Sequence, residues 1–136
     1  MNREEYVENL LDYYESPRNR GVLPDAQLHA SGGNPGCGDL VTMYAKLDDD
    51  GKIAQLSFEG EGCTISQAAA SMLTELADGK SLDELQAMTY EELIDVLGRE
   101  VVSIRPGCAT LGLSILKNAA RDYAYANGHA MAAVQD

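Results

Sequence analysis

The sequence predicts an α+β fold, a small antiparallel sheet of about three strands packed with helices, and two observations carry that expectation. Apolar and polar residues alternate over 40–47, and Asp48-Asp49-Asp50-Gly51 then turns the chain into a second strand over 52–59, which is the pattern of a β-hairpin. From Cys63 onward the apolar period becomes that of helices. Strands grouped ahead of a helical half suit segregated layers better than a parallel, alternating sheet.

Each element follows from local signals. Residues 3–15 place Tyr6, Leu10, Leu11, Tyr13 and Tyr14 among acids at helical spacing, an amphipathic helix packing that stripe on the core and ended by Ser16-Pro17. Residues 26–30 form a short edge strand, and Gly32-Gly33-Asn34-Pro35 a turn into the hairpin. Ala68, Ala69, Met72, Leu73, Leu76 and Ala77 mark a helix closing at Gly79. Ser81-Leu82-Asp83-Glu84 and Thr89-Tyr90-Glu91-Glu92 are capping boxes that open two short helices, the second ending at Gly98. Residues 105–107 read as a loop, 108–127 as a long helix stopped at Gly128, and the tail from about residue 129 as disordered.

A chain of 136 residues is expected to form one domain, 1–136, with a single core. With one Phe and no Trp, that core must come from Leu, Ala, Val, Ile and the seven Tyr. No apolar run approaches the roughly 20 residues of a membrane span, and the start lacks the apolar region of a secretory signal, so a cytoplasmic protein is expected. A net charge of −12 argues against nucleic acid, whose binding rests on Lys and Arg neutralising phosphates, and suits metal ions and basic protein surfaces.

Chemistry concentrates in Gly36-Cys37-Gly38-Asp39, Gly60-Glu61-Gly62-Cys63 and Arg105-Pro106-Gly107-Cys108. Three cysteines cannot all pair, and in a reducing compartment they stay thiols. Three thiolates with one carboxylate make a tetrahedral set for zinc, and thiolates also hold iron–sulfur clusters. The plainer alternative is three small buried hydrophobes, with Asp39 a turn-former and Arg105 a solvated loop residue. Helix starts at Cys63 and Cys108 would turn N–H groups and a partial positive charge toward a thiolate. His29 is expected at a strand edge and His129 in the tail, while residues 48–50 form a hairpin tip, because no EF-hand spacing follows them.

Asn34-Pro35-Gly36-Cys37-Gly38-Asp39, Glu59 to Ser66 continuing into Ala70-Ser71, Cys108-Ala109-Thr110-Leu111 and the opening Tyr13-Tyr14-Glu15-Ser16-Pro17-Arg18-Asn19 resemble the motifs of the U-type iron–sulfur cluster assembly proteins, the NifU N-terminal-like family with its IscU and SufU branches. The resemblance runs over about residues 5–125 and implies a SufE/NifU-like (IscU-like) fold. It further implies a Cys37, Asp39, Cys63 and Cys108 site for zinc, iron or a [2Fe–2S] cluster, and a SufS/IscS-like cysteine desulfurase as partner. Within it the chain departs from both branches. Gly107 stands where IscU-like scaffolds carry a histidine, and the interval from Cys63 to Cys108 lacks the insertion usual in SufU-like proteins, although Arg105 and the residues after Cys108 are SufU-like.

Two functions follow from the resemblance. A scaffold would accept persulfide sulfur, build a cluster on the four residues and pass it to an apo-protein; a zinc-dependent sulfurtransferase would keep its metal and hand sulfur to a separate scaffold. Whether the chain counts as an enzyme depends on which is true. Cys37 is the first candidate for sulfur acceptor and Cys108 the second, with Arg105 pairing Asp39 or a displaced thiolate during exchange. A purely structural zinc domain that binds a partner is the third reading.

Overall fold

Asn2 starts the first helix: its side chain accepts the Glu5 N–H while the Glu5 carboxylate accepts the Asn2 N–H, a capping box ahead of α1 (Arg3–Glu15). The structure, a computed structural model, describes residues 2–34, 38–103 and 105–126. Helix α1 ends at Ser16, as expected, but its apolar stripe is narrower than the sequence suggests. Leu10 is buried and Tyr6 and Tyr13 half-buried, whereas Leu11 and Tyr14 remain 39% and 41% exposed. The helix lies mainly along one neighbour, so only one seam of its surface is covered.

Strands β1 (Leu28–Asn34), β2 (Asp39–Leu47) and β3 (Ile53–Glu61) form one antiparallel sheet in that order. The hairpin between β2 and β3 stands where the alternation places it, and Asp48 Oδ1 accepts the N–H groups of Asp50 and Lys52 to tighten its tip. The edge strand is a correction: it begins at Leu28 and runs through Gly32, Gly33 and Asn34, residues expected to turn. A Cβ built on Gly32 would stand 2.9 Å from Ile115 Cγ1, so this glycine lets a helix approach the sheet closely. Pro35, the last residue of the expected turn, lies outside the described residues.

The opening segment has a structural task. The backbone of Asn19 and Gly21 exchanges hydrogen bonds with Phe58, the Arg18 N–H donates to Ser71 Oγ and Asn19 Nδ2 donates to Thr74 Oγ1. The segment thereby covers the outer edge of β3 and ties it to the next helix.

Helix α2 (Thr64–Leu76) follows β3, and α3 (Leu82–Ala87) and α4 (Tyr90–Leu97) open on the two expected capping boxes, both formed. One element was not foreseen, the single turn α5 (Arg99–Val102). The last helix, α6 (Pro106–Ala126), starts two residues before Cys108, inside the expected loop. Proline suits a first helical position, since its fixed φ is helical and its missing N–H would have had no partner. The Arg105 carbonyl accepts from Cys108 and Ala109 to close that first turn. The expected stop at Gly128 and the tail lie outside the described residues.

Helices α2 and α6 pack on each other and on the sheet, and Phe58, Met43, Leu73, Leu113 and Leu116 are fully buried between them. No helix among the described residues is long and apolar enough to cross a membrane. Gly98 joins α4 to α5 at φ +100°, where a Cβ would lie 2.6 Å from the Tyr6 ring of α1. Gly98→Ala is expected to lower stability by about 2–3 kcal/mol, from backbone strain together with overpacking. Chemical denaturation measures it, and a loss below about 0.5 kcal/mol, the size of an ordinary surface substitution, would refute this packing.

Candidate metal centre

Asp39 is the first residue of β2 and only 4% exposed. A buried carboxylate needs donors, and it has them: Oδ1 accepts the Cys63 N–H at 2.8 Å, and Oδ2 stands 3.8 Å from Cys63 Sγ. Burial pushes the Asp39 carboxyl up, but hydrogen bonds from the Cys108 thiol, the Cys63 N–H, the Ser66 hydroxyl and the Cys63 thiol outweigh it and hold the group below the usual carboxylate range. Asp39 is therefore an anion prepared for a cation, and the turn-former alternative does not describe it.

Cys63 caps α2 with extended backbone, and its Sγ accepts the Ser66 N–H at 3.4 Å. Helix N-caps are usually oxygen-bearing residues, so a sulfur here points the side chain at unpaired N–H groups that also favour negative charge. Cys108 lies in the first turn of α6 at 1% exposure, its thiol hydrogen-bonded to Asp39. Its burial bears on its place as the second candidate for sulfur acceptor, because the thiol is shielded from a partner's persulfide.

The ligand atoms of Asp39, Cys63 and Cys108 all lie within 4.8 Å of one another. In a tetrahedral zinc site with bonds of about 2.0–2.3 Å, ligand atoms stand roughly 3.3–3.8 Å apart, so a small inward closure would seat an ion. The donors are of the right kind, two soft sulfurs and one carboxylate oxygen, and the residues fit zinc or iron. The surrounding chain is shaped for this: a Cβ on Gly62 would fall 2.2 Å from Asp39 Oδ1, and one on Gly60 2.3 Å from the Leu40 carbonyl. The glycine before Cys63 makes space for the carboxylate as well as freeing the backbone.

Cys37 lies outside the described residues, and Asn34 of β1 pairs with Asp39 of β2. Arg105 is exposed just ahead of α6. His29 stacks on Tyr44 at 4.7 Å in β1, away from the ligand atoms, and His129 is outside the described residues. Sequence reasoning passed over Ser66 as a contributor, although it stands in the Cys63 motif, and missed Gln67 altogether. Ser66 Oγ lies 3.0 Å from the Cys63 carbonyl and accepts from Gln67 Nε2 at 3.1 Å. A glutamine directly ahead of the run Ala68-Ala69-Ala70 was the available signal, a polar residue on a face that the helix buries.

Comparison with known proteins relates the chain as a whole to others of similar sequence and fold. Residues 5–130 match the family described as the NifU-like N terminal domain. The chain is 35% identical over 123 residues to "Iron-sulfur cluster assembly scaffold protein IscU 1" of Archaeoglobus fulgidus, spanning 90% of this chain and 79% of that one. It is 36% identical over 129 residues to "Zinc-dependent sulfurtransferase SufU" of Bacillus subtilis, spanning 82% and 86%. The crystal structure of a nitrogen-fixing NifU-like protein (N-terminal) from Brucella abortus has a TM-score of 0.73 over 87% of this chain and 93% of that one; at 20% identity it speaks to the fold alone.

Proposed function

The chain belongs to the NifU-like N-terminal domain family, and from that premise we propose that it is an iron–sulfur cluster assembly scaffold, one domain over residues 1–136. It accepts persulfide sulfur from a cysteine desulfurase and holds metal or a nascent [2Fe–2S] cluster at Cys37, Asp39, Cys63 and Cys108. The observation that carries this reading is the convergence of a buried, anionic Asp39 on two cysteines from separate helices. Iron and the cluster are cargo here, so the residues need to hold and release them. Thiolates bind such a centre strongly, and one carboxylate gives the set a weaker bond at which exchange can begin.

Sulfur enters by thiol exchange. The Cys37 thiolate attacks the terminal sulfur of the desulfurase persulfide, the S–S bond there breaks, and the desulfurase leaves as a thiolate while Cys37 carries the new persulfide. Cys37 suits this step better than Cys108, whose thiol is buried. Arg105 pairs with Asp39 or with whichever thiolate is displaced. The protein works in the cytoplasm and passes its cluster to an apo-protein.

The second reading is a zinc-dependent sulfurtransferase. The absence of a histidine before Cys108, where Gly107 stands, favours it. Against it, the 129 aligned positions take in only 82% of this chain's 136 residues, so the SufU sequence carries residues that this chain lacks. Metal analysis with an absorption spectrum of anaerobically purified protein decides: iron, sulfide and charge-transfer bands for the scaffold, zinc without visible bands for the transferase.

Asp39→Ala provides the kinetic test. In a scaffold the remaining thiolates should keep a reconstituted cluster longer and transfer it more slowly. A transferase should instead lose zinc affinity and desulfurase stimulation together. A variant matching wild type in metal content, cluster lifetime and stimulation would remove Asp39 from the ligand set.

A further inference from the structure

Gln67 is 6% exposed in the first part of α2, and its Oε1 has no hydrogen-bond partner among the described residues. A buried carbonyl without a donor destabilises a fold, and a methionine or leucine of similar length would fill the same space without that defect. What the amide does make is one bond, from Nε2 to Ser66 Oγ. Ser66 is itself 1% exposed and bound to the candidate centre at two points, its N–H on Cys63 Sγ and its Oγ against the Cys63 carbonyl. A hydroxyl has a single proton. With Gln67 donating to its oxygen, the Ser66 proton is directed to the Cys63 carbonyl, inside the turn whose N–H and Sγ face Asp39.

Resting on the ligand set proposed above, we propose that Ser66 and Gln67 are positioning residues for the metal: Gln67 orients the Ser66 hydroxyl, and Ser66 pins the Cys63 turn, whose Sγ and N–H face Asp39, in the arrangement that accepts an ion. Polar groups behind metal ligands orient them, and losing such a partner typically costs on the order of 10–100-fold in metal affinity. The chain extends this support inward by one further residue. The unmet Oε1 is then the by-product of a bond needed for function, as expected where a local rule of packing is broken at a working site.

The test separates support of the site from support of the fold. Zinc affinity is measured by competition with a chromophoric chelator, the ligand field by the cobalt(II) spectrum, and stability by thermal unfolding of the metal-free protein. Gln67→Met is expected to melt no lower than wild type, since it removes an unmet polar atom, yet to bind zinc about 10-fold more weakly and to shift the cobalt bands. Ser66→Ala should show the same loss of affinity, and Ser66→Thr, which keeps the hydroxyl, should recover most of it. The proposal is overturned if Gln67→Met binds zinc and cobalt as wild type does, if its affinity and melting temperature fall together, or if Ser66→Thr fails as Ser66→Ala does. Wild-type protein that binds neither ion would overturn the ligand set itself, an outcome distinct from unchanged variants of a protein that binds them.

Discussion

Gly62→Ala will leave the protein folded and weaken its hold on zinc, because it displaces the Cys63 backbone together with Asp39. The substituted Cβ would sit 2.2 Å from Asp39 Oδ1 and 2.9 Å from Asp39 Cα, distances no pair of non-bonded atoms sustains. The backbone there has φ +141°, which an L side chain rarely adopts, so the segment and the carboxylate must both shift. Asp39 then loses the Cys63 N–H bond of 2.8 Å, and with it the orientation that brings Oδ2 toward the thiols. The expected result is a fall in zinc affinity of about 100-fold or more with a stability loss of about 1–3 kcal/mol. Gly79→Ala supplies the comparison: its φ is +81° and nothing lies within 4 Å of the new Cβ, so it shares the backbone strain without touching a ligand. It should lose a similar amount of stability and keep its zinc. If the two variants bind zinc equally well, the space beside Asp39 has no bearing on the site.

Cys108→Ser is expected to abolish stable metal and cluster binding while leaving the first sulfur-accepting step in place. Serine keeps the shape of the side chain and can still donate to Asp39, so metal-free stability should change by about 1 kcal/mol or less. As a ligand, a neutral hydroxyl is a poor replacement for a thiolate on zinc or iron, and the loss of affinity should exceed the roughly 100-fold that bounds outer-shell substitutions. The thiol is 1% exposed, so a partner's persulfide reaches it only after the site opens. Labelled sulfur supplied by a desulfurase should therefore still appear on Cys37 in this variant. Sulfur missing from Cys37 but present on Cys108 of the wild type would transfer the acceptor role to Cys108.

Much of the fold was legible because its signals are short-range. The hairpin, the capping boxes at Ser81 and Thr89 and the helix after Cys63 each depend on residues within a turn or two of one another, and each stands where expected. The site was legible in its donors, because thiolates and carboxylates are chemically rare enough that three motifs with cysteine and one with aspartate narrow the options. The glycines were misread at Gly32 and Gly33, where a pair that usually turns the chain forms strand under Ile115 of α6. Pro106 misled in the same way, its role depending on whether a helix begins or ends there.

The sequence by itself determined the element order, the family and the identity of the candidate ligands, since these are properties of local pattern and of side-chain chemistry. Tertiary structure alone decided that Asp39 is buried and anionic, that Gly62 exists to make room for it, that Cys108 is shielded, and that Ser66 and Gln67 stand behind the centre. The physical reason is one of distance along the chain. Burial, close approach and hydrogen-bond direction are set by what residues far apart in sequence bring together, here the start of β2 and the first turns of α2 and α6, and no periodicity in any one segment encodes the meeting of three.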